Sequence, residues 1–244
     1  MTLCIAVKCE DGVLVASDSR TVYHRGVPIS RDINKIHIIE KKGLVQGKLA
    51  IVGAGTVTFI DKFIRMLLDT NLEKVAKEEL NKSELSLSEV MSKVAEPLIR
   101  IIYDEYVERR KIDYYTCDLI IAGYETPLRA DAFVLYGIGL AEPVNDFSAI
   151  GSGAAYAELF LRHLLPQQRK VESVIKPVCY TIRLVGTIDP FVGGKLNLVA
   201  ATPQGIEDIS ESAVELPEPR AREVLSSVMK NLKELLEGVG GGDE

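Results

Sequence analysis

Residues 2–18 read Thr2-Leu3-Cys4-Ile5-Ala6-Val7-Lys8-Cys9-Glu10-Asp11-Gly12-Val13-Leu14-Val15-Ala16-Ser17-Asp18. Two short apolar, β-branched runs, Leu3 to Val7 and Val13 to Ala16, flank Glu10-Asp11-Gly12, and an Asp-Gly pair between such runs specifies a tight two-stranded hairpin. The chain therefore opens with paired strands. A second pair follows: Ile33 to Glu40 alternates, with Ile36 and Ile38 against Lys35 and His37. Lys41-Lys42-Gly43 turns it, and Leu49 to Gly53 continues as a buried run. About the first 55 residues thus read as all-β.

Outward from this start the period changes. From Val57 to Leu68 the apolar residues Val57, Ile60, Ile64, Leu67 and Leu68 fall at helical spacing, and Ser86-Leu87-Ser88-Glu89 is a capping box that opens a second helix. Val90, Val94, Leu98, Ile101 and Ile102 are expected to form its buried face, with a kink at Pro97. Strand-like runs return at Asp118 to Tyr124, Ala132 to Tyr136 and Val144 to Ile150, with Thr126-Pro127 and Gly137 to Gly139 between them, which predicts a β-meander. Helices are expected at Ala154 to Leu165 and Val171 to Val185. Strands near Asn197 to Ala201 and Ile206 to Ile209 are joined by Pro203-Gln204-Gly205.

A last helix spans about Pro219 to Glu237, striped by Val224, Leu225, Val228, Leu232, Leu235 and Leu236, before a Gly-rich tail over 238–244. Strands, helices, strands, helices, strands and helix in that order suggest antiparallel sheets covered by helices, not strict α/β alternation. One α+β domain over 1–237 is the expectation.

Composition narrows the function classes. The chain has 244 residues, the size of one large domain, and its 47% apolar and 26% charged residues are those of a folded globular protein. The formal net charge of −6 argues against a broad nucleic-acid surface. No apolar stretch reaches the roughly 18 residues that would span a bilayer, and the start lacks a signal peptide's basic and apolar regions, so a cytoplasmic location away from membranes is expected. Cys4, Cys9, Cys117 and Cys179 form no CxxC pair, and His24, His37 and His163 lie far from them. No metal or redox site is expected.

Two glycine segments resemble cofactor motifs and fail them. Gly151-Ser152-Gly153-Ala154 lacks the third glycine of a dinucleotide fingerprint and its βαβ surroundings, and Gly193-Gly194-Lys195 lacks the upstream glycine of a P-loop. No cofactor is expected. The simpler reading of the first segment is a tight turn with the Ser152 hydroxyl serving a helix N-terminus. The Asn81-Lys82-Ser83 sequon has no use in a cytoplasmic protein.

Thr2 is more informative. Loss of Met1 would leave a threonine bearing both a hydroxyl and an α-amine, and an α-amine with an intrinsic pKa of about 7.7 to 8.0 can accept the hydroxyl proton without a histidine. Asp18, in Ala16-Ser17-Asp18-Ser19-Arg20, and Lys35, in Asn34-Lys35-Ile36, could complete such a centre: the lysine would favour the alkoxide and the aspartate would hold the lysine. Taken singly, Thr2 reads more simply as the beginning of a strand, and Asp18 with Lys35 as a surface pair of little energetic value.

Taken together, these residues resemble the proteasome β-subunit family of N-terminal nucleophile hydrolases, over most of the chain and most strongly in the first 55 residues. Thr2, Asp18 and Lys35 look like the family's nucleophile, aspartate and lysine, in order. Thr2 to Asp18 keeps the family spacing, and Asp18 to Lys35 is one residue longer, an insertion that a loop around His24-Arg25-Gly26 could absorb. Ile51-Val52-Gly53 resembles the strand end whose glycine N–H is the oxyanion donor. Ser152 resembles the serine beside the nucleophile, and Asp189 the second aspartate. Two positions depart from the pattern: Val192 stands where the family has a serine, and no acidic residue follows the Gly53 segment.

The resemblance implies a four-layer αββα sandwich of the N-terminal nucleophile hydrolase type and a threonine-type endopeptidase acting on polypeptides. It also implies self-assembly into a ring or stacked oligomer, with an ATPase unfoldase as a candidate partner. The start and the Ser17-Asp18-Ser19-Arg20-Thr21 run are closest to the ancestral β-subunit (Anbu) group, ahead of the HslV peptidases. Thr21 and Ile51 would wall an uncharged specificity pocket that prefers a small or apolar side chain. Transpeptidation or other amidohydrolase chemistry at the same nucleophile is an alternative, and a catalytically silent structural ring subunit is another. The Thr2, Asp18 and Lys35 set argues against the silent subunit, and Val192 argues for it.

Overall fold

The Asp11-Gly12 turn joins β1 (Leu3–Cys9) to β2 (Gly12–Asp18), paired from Cys4 with Ser17 to Cys9 with Gly12. The computed structural model describes residues 2–22, 28–29, 33–112 and 117–209. A short ribbon, β3 (Thr21–Val22) with β4 (Pro28–Ile29), follows the hairpin. β5 (Ile36–Glu40) and β6 (Lys48–Gly55) form the expected second pair, with Ile36 opposite Val52.

After β6 come α1 (Val57–Asp69) and α2 (Leu72–Leu80). The short α2 has no long apolar period of its own, and its start is set by the Asn71 side chain accepting from the Lys74 N–H. The Ser86 capping box then opens α3 (Leu87–Val90), a π-wound turn over Met91–Ala95, α4 (Glu96–Tyr103) and a second π-wound turn over Asp104–Arg109. Pro97 has no N–H to give, and the turn ahead of it widens so that the Glu96 N–H reaches Met91 O, five residues back. That extra residue per turn shifts the buried face. Val90, Val94 and Ile102 point inward as expected, but Ile99 joins the face, while Ile101 is exposed and Leu98 only partly buried.

β7 (Cys117–Thr126), β8 (Arg129–Tyr136) and β9 (Leu140–Pro143) make the meander. The expectation that Val144 to Ile150 supplies its third strand is corrected: β9 takes that place, and β10 (Phe147–Gly151) crosses to the other sheet and pairs with β1. The crossing is fixed where the Val144 N–H still bonds Ala132 O in one sheet while Asp146 O already accepts from the Lys8 N–H in the other. α5 (Ala154–Leu164), α6 (Val171–Gly186), β11 (Leu196–Thr202) and β12 (Gly205–Ile209) complete the described chain. The expected helix from Pro219 to Glu237 and the 238–244 tail lie outside the described residues.

The strands form two five-stranded antiparallel sheets, in the orders β10-β1-β2-β11-β12 and β5-β6-β7-β8-β9. Side chains alternate across each strand, and here both faces are covered. Leu3, Ile5 and Val7 of β1 face α5 and α6, among Phe160, Val178 and Ile182. Cys4 and Ala6 face the other sheet, among Val52, Ile120 and Val134. Ile51, Leu119 and Ile121 of that sheet face Phe59, Phe63 and Val94 of the first helices. Three apolar layers between four layers of secondary structure make the αββα sandwich of N-terminal nucleophile hydrolases, and antiparallel strands buried on both faces explain why β1 and β2 read as unbroken apolar runs.

Candidate active site

Asp18 ends β2 beside Leu3, the first residue of β1, because the pairing of Cys4 with Ser17 sets Leu3 opposite Asp18 and leaves Thr2 running past the β2 terminus. Its carboxylate has no exposed surface and is saturated with donors. Oδ1 accepts the Leu3 N–H at 3.0 Å and Lys35 Nζ at 2.8 Å, and Oδ2 accepts the Arg20 N–H at 3.1 Å and the Gly193 N–H at 3.0 Å. The Thr2 hydroxyl donates to Asp18 Oδ1 and accepts from Lys35 Nζ.

Lys35 lies just before β5, with its ammonium group turned inward, and it also donates to Arg20 O at 2.7 Å. A buried carboxylate of this kind needs a cation and several N–H donors to offset its desolvation, and Asp18 has them. The register of β5 with β6, extended one residue beyond Ile36 and Val52, sets Gly53 across from Lys35. The site is tight: a Cβ on Gly53 would stand 2.7 Å from Ile60 Cδ1 and 2.9 Å from Leu119 Cδ2, and both side chains would have to give way.

Residues 2–201 match the family of proteasome subunits. The chain belongs to the proteasome subunit family. Proteasome subunit beta 1 of Thermococcus onnurineus is 25% identical over 216 residues, covering 88% of this chain and 95% of the relative. The corresponding protein of Thermococcus kodakarensis is 27% identical over 212 residues, covering 86% and 93%. Among solved structures, Anbu (ancestral beta-subunit) from Yersinia bercovieri superposes with a TM-score of 0.67 at 15% identity, covering 99% of this chain and 98% of that one. An Anbu (Gly-1) mutant from Hyphomicrobium sp. strain MC1 gives the same TM-score at 16% identity over the whole of both chains. At that identity the likeness establishes the shared sandwich.

Within this proteasome-family fold Thr2, Asp18 and Lys35 converge, while the side chains of Ser152 and Asp189 are not among their hydrogen-bond partners. Gly151 pairs with Leu3, takes φ +101°, and approaches so closely that a Cβ there would fall 2.1 Å from Thr2 O. Ser152 is exposed one residue further on, and α5 starts from Gly153 without a side-chain cap, so the expected capping role of Ser152 is corrected. Asp189 is buried, and its Oδ1 accepts the Phe191 N–H at 2.9 Å within its own turn. Val192 packs fully buried in the core against α5 and α6, filling with methyl groups the position that resembles the family's serine. Ile51 is likewise fully buried, beneath α1, and does not wall an open pocket; Thr21 is half-buried at the start of β3.

Sequence reasoning missed the part played by Arg20. Its Nη1 donates to Pro190 O at 2.7 Å and Val192 O at 3.0 Å, and its N–H also reaches Gly193 O at 2.9 Å. The guanidinium thereby clamps the loop that brings the Gly193 N–H to Asp18. The only signal for this in the sequence is the proximity of Arg20 to Asp18, which does not announce a loop 170 positions away. Among the described residues, no three His, Cys, Asp or Glu side chains gather as a metal would require. No described helix is long and apolar enough to cross a membrane.

Proposed function

We propose that this proteasome-family chain is a threonine peptidase whose nucleophile is Thr2, exposed by removal of the residue before it. The observation that carries the reading is the convergence of Thr2, Asp18 and Lys35 in one buried, fully bonded cluster. The freed α-amine takes the hydroxyl proton, Oγ1 bonds to the peptide carbonyl carbon, and the Lys35 ammonium stabilises the negative charge that develops on Oγ1. The Gly53 N–H serves the carbonyl oxygen as it becomes an oxyanion. Collapse breaks the C–N bond, the proton held on the α-amine passes to the leaving amine, and water then hydrolyses the acyl ester to regenerate Thr2.

In this reading Asp18 orients Lys35 and the first turn of the chain, and Asp189 shapes the 189–193 loop. Substrates are polypeptides, and copies of the chain assemble into a ring or stacked oligomer that encloses the sites. The family assignment and the beta-subunit names of its relatives support both points.

Intact mass of the purified protein, alone and after incubation with a peptide β-lactone, tests the reading. A chain beginning at Thr2 that gains one adduct, mapped to Thr2 and lost in Thr2→Ala, is the expected result. An unreactive chain beginning at Thr2 would overturn it in favour of a silent subunit.

A further inference from the structure

Cys4 stands on β1 two residues after Thr2, and its side chain enters the layer between the sheets. The thiol is fully buried, and its Sγ donates to Gly53 O in the facing sheet at 3.6 Å. It is therefore a side-chain link between the strand that follows Thr2 directly and the strand that carries Gly53. Around it the layer is lined by Val52, Ala54 and Ile150, which offer no competing polar group.

We infer that Cys4 is a positioning residue for the reaction: its thiol, tethered to the Gly53 carbonyl, fixes the start of β1, and with it the adjoining Thr2, relative to the Gly53 strand. This rests on the reading of Thr2 as nucleophile. Burial pushes the thiol up to about 12, with the Lys35 charge partly offsetting that rise, so at working pH the group is an S–H donor and not a second nucleophile. A misplacement of about 1 Å between reacting groups costs about 10²-fold in rate, which is the scale on which such a link between two sheets matters.

Three substitutions separate the hydrogen bond from the packing. Cys4→Val fills the space without a donor, Cys4→Ser keeps a donor on a smaller side chain, and Cys4→Ala serves if the valine variant fails to fold. The assays are β-lactone adduct formation followed by intact mass, kcat and KM on a peptide amide, and the thermal midpoint. We expect Cys4→Val to lower kcat and the rate of adduct formation about 10-fold or more, with KM and thermal midpoint close to wild type, and Cys4→Ser to recover most of the loss. A kcat within about twofold of wild type in Cys4→Val, or a serine variant as slow as the valine variant, would overturn the inference. Wild-type protein that forms no adduct at Thr2 would instead overturn the nucleophile assignment itself, so the two failures are distinct.

Discussion

The Gly193 N–H donates to Asp18 Oδ2 at 3.0 Å across 175 positions of sequence. This bond joins the end of β2 to the loop ahead of β11 and places Asp18 between two segments that approach each other only in the completed sheet. Since Oδ1 of the same carboxylate holds Lys35 and the Leu3 N–H, the geometry at Thr2 depends on the loop that carries Gly193.

Gly193→Ala should therefore reduce activity although the residue lies outside the cluster. Its φ is +149°, and an added Cβ would stand 2.6 Å from the Arg20 guanidinium. Strain of this kind costs about 1–3 kcal/mol, and urea unfolding together with kcat on a peptide amide should both register the change.

Lys35→Ala should lower kcat about 10²- to 10⁴-fold, the range for losing a group that assists proton transfer. It also leaves the Asp18 carboxylate buried without its cation, with a loss of about 3–5 kcal/mol in stability. Kinetics below the shifted unfolding midpoint separate the two effects, and unchanged kcat there would show that the ammonium takes no part.

Activity should follow the α-amine. With an intrinsic pKa of about 7.7 to 8.0 for that group, kcat/KM should rise with pH through this range and then level off. A profile flat from pH 6 to 9 would exclude the amine as base.

Stability should respond to pH in the opposite sense. Burial raises the Cys4 thiol from 9.0 to about 12, so the folded protein keeps its proton where the unfolded chain has begun to lose it. The unfolded state then binds fewer protons, and stability, fully present below pH 9, falls as pH rises toward 12. The slope for one such group approaches about 1.4 kcal/mol per pH unit. Denaturant unfolding between pH 8 and 11 should show this fall, and Cys4→Val should flatten it. Cys9, raised to about 12 by burial and the neighbouring Asp11 carboxylate, contributes in the same direction.

The sequence by itself determined the hairpin of β1 and β2, the strand pair after it, the helix periods and the capping box at Ser86, because each is written in turn chemistry and apolar spacing within about a dozen residues. It also marked Thr2, Asp18 and Lys35, whose order along the chain carries the resemblance. It misplaced what non-local contact governs. Past Pro97 the buried face takes Ile99 in place of Leu98 and Ile101 and keeps Ile102, through a π-wound turn that a fixed 3.6-residue period cannot represent. Val144 to Ile150 looked like the next strand of a meander, yet β10 left for the other sheet, since alternation specifies a strand's faces and not its neighbour. The clamp of Arg20 on Pro190 and Val192, the Gly193 bond to Asp18 and the Cys4 link to Gly53 join segments 49 to 175 positions apart. Only the closing of the two sheets brings those groups within hydrogen-bonding distance, so no local pattern in the chain could encode them in readable form.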